Sequence, residues 1–159
     1  MTLVNKVCDE LKRHHLTVAT AESCTGGLLA HTLTNVSGSS EYFDRGVITY
    51  SNRAKMQELD VQEQILTTYG AVSKEVARAM AQAIQRKASV DFGLATTGIA
   101  GPTGGSKEKP VGLVFIAISS DKKIVVKRFL FIGDRLSNKD NTCRAALELL
   151  LEIISSNMS

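Results

Sequence analysis

The sequence predicts an α/β fold, namely a three-layer α/β/α domain built on a mixed β-sheet. In the first half of the chain, segments with helical spacing of apolar residues alternate with short apolar runs, which is typical of parallel strands joined by helices. Two apolar runs near the C-terminal end flank the polar segment 120–123, which predicts a hairpin. The length of 159 residues and the 43 % hydrophobic content fit a single domain covering 1–159.

The first five predicted elements are helix, strand, helix, strand and helix. Apolar residues at helical spacing predict a helix over 4–11, and the β-branched and apolar run at 16–21 predicts a strand. A second helix follows at 28–31, and residues 46–50 form the second predicted strand. The pair at 51–52 can cap the helix that follows this strand.

The second half of the chain contributes a helix, three strands and a final helix. Ser73 is the predicted N-cap of the first of these helices, and the glycine-rich segment 98–110 is a loop that holds both prolines of the chain. The predicted bounds are 73–88 for the helix, 92–97, 111–118 and 124–132 for the strands, and 143–154 for the final helix.

Composition and charge exclude several classes of protein. The 19 basic and 16 acidic residues give a net charge of +3, and aromatic residues make up only 5 %, so no nucleic acid polymer is expected as a partner. No apolar run approaches the ~20 residues that a membrane span needs, and residues 1–6 do not resemble a signal peptide. We therefore expect a cytoplasmic protein without a membrane partner.

The cysteines and histidines do not predict a metal centre. Cys8, Cys24 and Cys143 form no CxxC pair, and the three histidines lack the spacing of a known metal motif. We expect no disulfide, no metal and no cofactor.

The turn after the first strand is the first candidate site. Ser23 lies there beside Thr25, Gly26 and Gly27, where the start of a helix leaves backbone N–H groups free to receive an anion. The alternative is that Ser23 or Thr25 only caps the helix. Cys24 is a rival nucleophile, but a free cysteine more often behaves as a small buried hydrophobe.

The second candidate site is the turn at 49–55, which carries Tyr50 and Lys55. A serine nucleophile needs a base, and because no histidine is suitably placed, Lys55 is the remaining choice. Its pKa would have to fall by roughly three units from ~10.4, which corresponds to roughly 4 kcal/mol and requires desolvation or a neighbouring cation. The alternative is an ordinary solvated lysine on a helix face.

The glycine-rich loop and the turn after the last strand are weaker candidates. Arg135 could hold a phosphate or a carboxylate through two parallel hydrogen bonds, or it could simply pair with Asp134. The loop could cradle a phosphate or a carboxamide, or be an ordinary surface loop. Its candidate binding residues are Thr97, Gly98, Gly101, Gly104 and Gly105.

Five segments together resemble one family. They are TAESCTGG at 20–27, GVITYSN at 46–52, GAVS at 70–73, GIAGPTGG at 98–105 and KPVG at 109–112. In this order they are similar to the nicotinamide-mononucleotide amidohydrolases, the CinA C-terminal domain family. The resemblance covers almost the whole chain and implies the stand-alone form of this domain, with an α/β/α fold.

The resemblance also implies a reaction and a set of roles. The expected reaction is hydrolysis of the linear carboxamide of nicotinamide mononucleotide to nicotinate mononucleotide and ammonia, in pyridine nucleotide salvage. Ser23 would be the nucleophile, Lys55 its base and Tyr50 an assisting group, with Thr97 and Arg135 also matching functional positions. The expected partner is thus a small-molecule nucleotide, and a homo-oligomer is left open.

One position departs from the family pattern. Members often carry a second arginine shortly after the position of Arg135, whereas this chain has Lys139 as the nearest basic residue. Lysine supplies a charge but not the planar fork of arginine. The alternative to an enzyme is therefore a non-catalytic nucleotide-binding or regulatory module that retains the same pocket.

Overall fold

The structure is a computed structural model and describes residues 1–158. These residues contain five strands and six α-helices. The strands are β1 (Val18–Glu22), β2 (Phe43–Ile48), β3 (Phe92–Gly98), β4 (Leu113–Ser119) and β5 (Ile124–Leu130). The helices are α1 (Leu3–Arg13), α2 (Leu28–Thr34), α3 (Asn52–Leu59), α4 (Glu63–Tyr69), α5 (Lys74–Ala88) and α6 (Arg135–Asn157), with a short 3₁₀ turn at Ser39–Glu41.

The strands form one mixed sheet in the order β2-β1-β3-β4-β5. β1 pairs in parallel with β2 and β3, whereas β3 with β4 and β4 with β5 are antiparallel. Both the mixed sheet and the late hairpin are confirmed. Because β1, β2 and β3 are parallel, their carboxyl ends meet at one edge of the sheet, where ligands usually bind in such folds.

Alternation along the central strands separates two apolar layers. Val18 and Leu94 face the layer that contains α1, α2 and α6. Ala19 and Ala95 face the opposite layer, which contains α3, α4 and α5. The small side chains let α5 approach the sheet closely, and a Cβ atom at Gly93 would stand 2.3 Å from a carbonyl oxygen of α5. The fold is therefore a three-layer α/β/α sandwich.

Four helices begin at residues whose side chains cap them, and the first is α1, where Thr2 accepts a hydrogen bond from the N–H of Asn5. Ser51 accepts a hydrogen bond from the N–H of Ala54, and Ser73 accepts one from the N–H of Val76, as the sequence predicts. Asp134 caps α6 in the same way, through the N–H of Ser137. The pairing of Asp134 with Arg135 considered above is wrong, because no salt bridge joins these two residues in the described part of the chain.

The remaining differences from the predicted elements are shifted boundaries and one additional helix. The second strand covers Phe43–Ile48 rather than 46–50, and the final helix begins at Arg135 rather than near 143. The helix at Glu63–Tyr69 was not predicted, because it has seven residues and buries only one of them, Leu66. No helix among residues 1–158 is both long and apolar enough to cross a membrane.

Candidate active site

Three turns at the carboxyl edge of the sheet surround a small pocket. They follow β1, β2 and β3, and the segment between α4 and α5 and the first turn of α6 also line the pocket. The pocket has a volume of about 190 Å³. Its lining residues are Ser23, Cys24, Tyr50, Lys55, Ala71, Val72, Thr97, Gly98, Ala100 and Arg135.

Ser23 and Lys55 are in direct contact in this pocket. The Nζ atom of Lys55 lies 3.0 Å from the Oγ atom of Ser23. Lys55 is 1 % exposed, and Ser23 is 8 % exposed. Ser51 starts α3 at a fixed point after β2, so that Lys55 emerges one turn later and reaches across to the end of β1. The two residues are 32 positions apart in the sequence, and the fold brings them together.

Two backbone carbonyls orient the amine of Lys55. Its Nζ atom donates to the carbonyl oxygen of Thr49 at 2.8 Å and to that of Tyr50 at 3.4 Å. A neutral amine has two N–H donors and one lone pair. When the two carbonyls receive the N–H groups, the lone pair is left for the hydroxyl proton of Ser23.

Burial favours this neutral form of Lys55. Desolvation lowers the pKa of the Lys55 amine from its ordinary 10.5 to about 8, and no carboxylate in residues 1–158 forms a salt bridge with it to oppose the shift. A lysine with a pKa near 8 can act as a general base close to neutral pH. The geometry and the lowered pKa together make Ser23 and Lys55 capable of nucleophilic catalysis.

Tyr50 does not lie between these two residues. Its side chain is 60 % exposed, and its hydroxyl accepts a hydrogen bond from Nη2 of Arg135 at 3.0 Å. Nη1 of Arg135 donates to the carbonyl oxygen of Gly101 at 2.7 Å. Arg135 thus joins the turn after β2 to the glycine-rich loop at the mouth of the pocket, and the hydrogen bond between Lys55 and Tyr50 goes to the backbone carbonyl of Tyr50.

The carboxylate of Glu22 binds the start of α2, where the sequence predicts a site for an anion. Its carboxylate accepts hydrogen bonds from the N–H groups of Leu29 at 2.8 Å and Ala30 at 2.9 Å, and from the hydroxyl of Thr25 at 2.6 Å. The expectation that these N–H groups are free to bind an anion is therefore wrong. Sequence reasoning missed Glu22 as a functional candidate, although a carboxylate that directly precedes Ser23 was a visible signal.

The predicted binding residues divide into two groups. Thr97, Gly98 and Arg135 line the pocket, and the hydroxyl of Thr97 donates to the carbonyl oxygen of Ala71 at 2.7 Å. The other members of the predicted set lie outside the lining, so a role for them in contacting substrate stays a prediction. They are Thr25, Gly26, Gly27, Gly101, Gly104 and Gly105.

The glycines outside the pocket lining determine the shape of the turns. Gly26 and Gly27 have φ values of +60° and +102°, which side chains rarely adopt, and so they shape the turn that carries Ser23. A Cβ atom at Gly105 would stand 2.7 Å from the backbone N of Val111. Lys139 lies beside the same turn, with its Nζ atom 3.5 Å from the point that a Cβ of Gly26 would occupy.

The thiol of Cys24 is a poor nucleophile in this setting. Burial raises its pKa to about 12, so that almost no thiolate is present near neutral pH. Cys8, Cys24 and Cys143 are all free cysteines. Within residues 1–158, no group of three or more acidic, histidine or cysteine side chains is arranged to hold a metal ion.

Comparison with known proteins connects this chain to one family. The family model described as "CinA C-terminal domain" matches residues 1–154. A CinA-like protein of Chloroherpeton thalassium is 45 % identical over 161 residues, which cover 99 % of this chain and 38 % of that protein. A CinA-like protein of Syntrophus aciditrophicus is 47 % identical over 156 residues, which cover 98 % of this chain and 37 % of that protein. The chain spans little more than a third of the length of the curated relatives it matches.

Two solved structures have the same fold. The competence/damage inducible protein CihA of Agrobacterium tumefaciens superposes with a TM-score of 0.92 at 42 % identity, covering 94 % of this chain and 92 % of that one. A CinA superfamily protein of Klebsiella pneumoniae superposes with a TM-score of 0.94 at 33 % identity, covering 97 % and 96 %. The architecture described above is therefore that of the family.

Proposed function

The chain belongs to the CinA C-terminal domain family, and we propose that it is an amidohydrolase that converts nicotinamide mononucleotide to nicotinate mononucleotide and ammonia. The observation that carries the proposal is the buried amine of Lys55, 3.0 Å from the hydroxyl of Ser23 and free of any salt bridge in the described chain. Such a pair supplies a serine nucleophile and its base without a histidine or a metal.

The reaction begins with transfer of the hydroxyl proton of Ser23 to the neutral amine of Lys55. The Oγ atom then bonds to the carboxamide carbon, and the C–N bond breaks as the ammonium of Lys55 returns the proton to the leaving nitrogen. Ammonia leaves and an acyl-serine ester remains. Water, deprotonated by the same amine, attacks the ester, and Ser23 is released with its proton as the nicotinate carboxylate forms.

The developing oxyanion needs hydrogen-bond donors close to Ser23. The backbone N–H groups of Cys24 and Ala100 are the candidates. Cys24 lines the pocket directly after Ser23, and Ala100 lines it shortly after Thr97. The N–H of Ser23 itself is not a candidate, since it donates to the carbonyl oxygen of Thr96 at 3.0 Å.

The size and charge of the pocket support a substrate with a flat ring and an anionic group. A volume of about 190 Å³ suits a ring carboxamide better than a whole nucleotide, so the ribose and phosphate would lie at the mouth. Arg135 stands there with two uncharged oxygen acceptors, and its guanidinium forms no salt bridge within residues 1–158. Its charge is therefore available to a phosphate.

The test is to incubate the protein with nicotinamide mononucleotide and to measure ammonia and nicotinate mononucleotide separately. Equal amounts of both products are expected from the wild type, and none from Ser23→Ala. Ser119→Ala is the matched control, because Ser119 is a buried serine at the opposite edge of the sheet and should leave turnover unchanged. If the wild type binds the nucleotide in calorimetry but releases no ammonia, a non-catalytic nucleotide-binding or regulatory module replaces the proposal.

A further inference from the structure

Among the acidic and basic side chains in the described part of the chain, Glu22 and Lys55 are the two that are buried, and both adjoin the nucleophile. Lys55 contacts Ser23, and Glu22, which is 1 % exposed, precedes it directly in the sequence. Burying a carboxylate is unfavourable unless hydrogen bonds replace its water. Glu22 is not part of the reaction described above, so its burial at this position calls for another role.

The hydrogen bonds of Glu22 span the loop that carries Ser23. Glu22 is the last residue of β1, and its Oε1 and Oε2 atoms accept the N–H groups of Leu29 and Ala30 in the first turn of α2. The N-cap residue of α2 is Gly27, which has no side chain to cap the helix. The carboxylate therefore clamps the two ends of the loop 23–27 from inside the fold.

Thr25 extends this clamp to the neighbouring strand. Its hydroxyl lies 2.6 Å from Oε1 of Glu22 and 2.8 Å from the hydroxyl of Thr96 on β3. The backbone carbonyl of Thr96 also accepts the N–H of Ser23 at 3.0 Å. The loop is thus held at Ser23 and at Thr25 by one residue of β3, and at α2 by Glu22.

We propose that Glu22 is a positioning residue, whose carboxylate holds the 23–27 loop so that the hydroxyl of Ser23 stays within hydrogen-bond reach of Lys55. A carboxylate suits this place because it offers only acceptors to three donors. The amide of a glutamine would turn an NH₂ group toward one of these donors, either a hydroxyl or an N–H of α2. The charged form, and not merely the size of the side chain, is therefore needed.

The test measures the reactivity of Ser23 with phenylmethanesulfonyl fluoride, and it rests on the proposed role of Ser23 as nucleophile. In this step the Oγ–S bond forms, the S–F bond breaks, fluoride leaves, and Lys55 takes the hydroxyl proton. Labelling of Ser23 is followed by mass spectrometry, and kcat and KM for ammonia release are measured in parallel. Because the probe is not a nucleotide, labelling does not depend on the identity of the natural substrate.

For Glu22→Gln, the labelling rate and kcat should both fall about 10- to 100-fold, because a small displacement of a reacting atom has effects of this size. KM should change by less than about threefold, since the pocket mouth is untouched. Thr25→Val, which removes the hydroxyl bonded to Glu22 and Thr96, should label more slowly than Thr25→Ser, which keeps it. Leu11→Ala, a core truncation in α1, is the control for lost stability and should label normally below its melting temperature.

Two results would overturn the role of Glu22. One is labelling of Ser23 in Glu22→Gln at the wild-type rate. The other is an equally slow labelling rate in Leu11→Ala, measured at the same margin below its melting temperature. Wild-type protein that labels at Ser23 but releases no ammonia would instead overturn the proposed reaction and leave the role of Glu22 standing. Failure of the wild-type protein to label at Ser23 would overturn both the proposed reaction and the role of Glu22.

Discussion

The pH dependence of turnover is the sharpest consequence of the pocket. The reacting form of the enzyme has a neutral Lys55, and burial lowers the pKa of this amine to about 8. We expect kcat/KM to rise tenfold per pH unit below about pH 8 and to level off above it. The perturbation is therefore a change of pH from about 6.5 to 9.5, which spans the titration.

The magnitude follows from the two pKa values. A lysine with its ordinary pKa of 10.5 is neutral in about 0.03 % of molecules at pH 7, whereas a pKa of about 8 makes about 9 % neutral. Burial of Lys55 thus increases the reactive fraction about 300-fold at pH 7. The same shift costs about 3 kcal/mol of folding free energy while the amine is protonated, because one pKa unit corresponds to about 1.4 kcal/mol.

The assay is continuous ammonia release at substrate concentrations well below KM. Sulfonylation of Ser23 at the same pH values is the control, because the sulfonyl fluoride does not titrate in this range and should give the same midpoint. A profile that is flat between about pH 6.5 and 9.5, or one that is still rising tenfold per unit at about pH 9.5, would refute the assignment of Lys55 as a buried base. Lys55→Arg should be inactive throughout, since a guanidinium does not lose its proton in proteins.

Three further predictions concern single residues. Lys55→Met should abolish turnover and raise stability at pH 7 by at most about 3 kcal/mol, because the lowered pKa of Lys55 destabilises the fold fully below about pH 8 and progressively less up to pH 10.5. Denaturant unfolding should show this gain shrinking as the pH rises from about 8 to 10.5, and an unchanged gain would contradict it. Tyr50→Phe should reduce kcat less than about 10-fold, because its backbone carbonyl still holds Lys55, whereas a loss above about 100-fold in the ammonia assay would mean that the hydroxyl relays the proton. Iodoacetamide should modify Cys24 of the native protein only slowly at pH 7.5, because burial raises the pKa of this thiol to about 12. Peptide mass spectrometry follows the modification, and rapid labelling would contradict a buried thiol.

The sequence predicts the parts of this fold that local pattern determines. Helix α5 has a regular apolar stripe and a serine cap, and the β4–β5 hairpin has a short polar turn, so both are recognisable without a structure. Helix α4 has neither signal, because its seven residues include two adjacent threonines and bury only Leu66. The start of α6 was missed for a related reason, since its first two turns are mostly polar and carry the pocket wall rather than the core.

The candidate site divides along the same line. Ser23 and Lys55 could be paired from the sequence because no histidine offered an alternative base, and the side-chain geometry agrees with that pairing. The direction of the Tyr50 side chain could not be predicted, because it depends on Arg135, 85 positions away. Glu22 stands visibly before Ser23 in the sequence, but its hydrogen bonds could not be predicted, since the donors lie across a loop whose course the sequence does not determine.

The hydrogen bonds of the pocket form two sets that share few members. One set holds the reacting atoms: Glu22 fixes the loop of Ser23, and the carbonyl of Thr49 orients Lys55. The other set forms the mouth, where Arg135 joins the Tyr50 hydroxyl to Gly101. Substitutions in the first set should therefore lower kcat and the labelling rate of Ser23 together, because both depend on the same proton transfer. Substitutions at Arg135 should raise KM for a phosphate-bearing substrate and leave sulfonylation unchanged, since the small probe does not need the charge at the mouth.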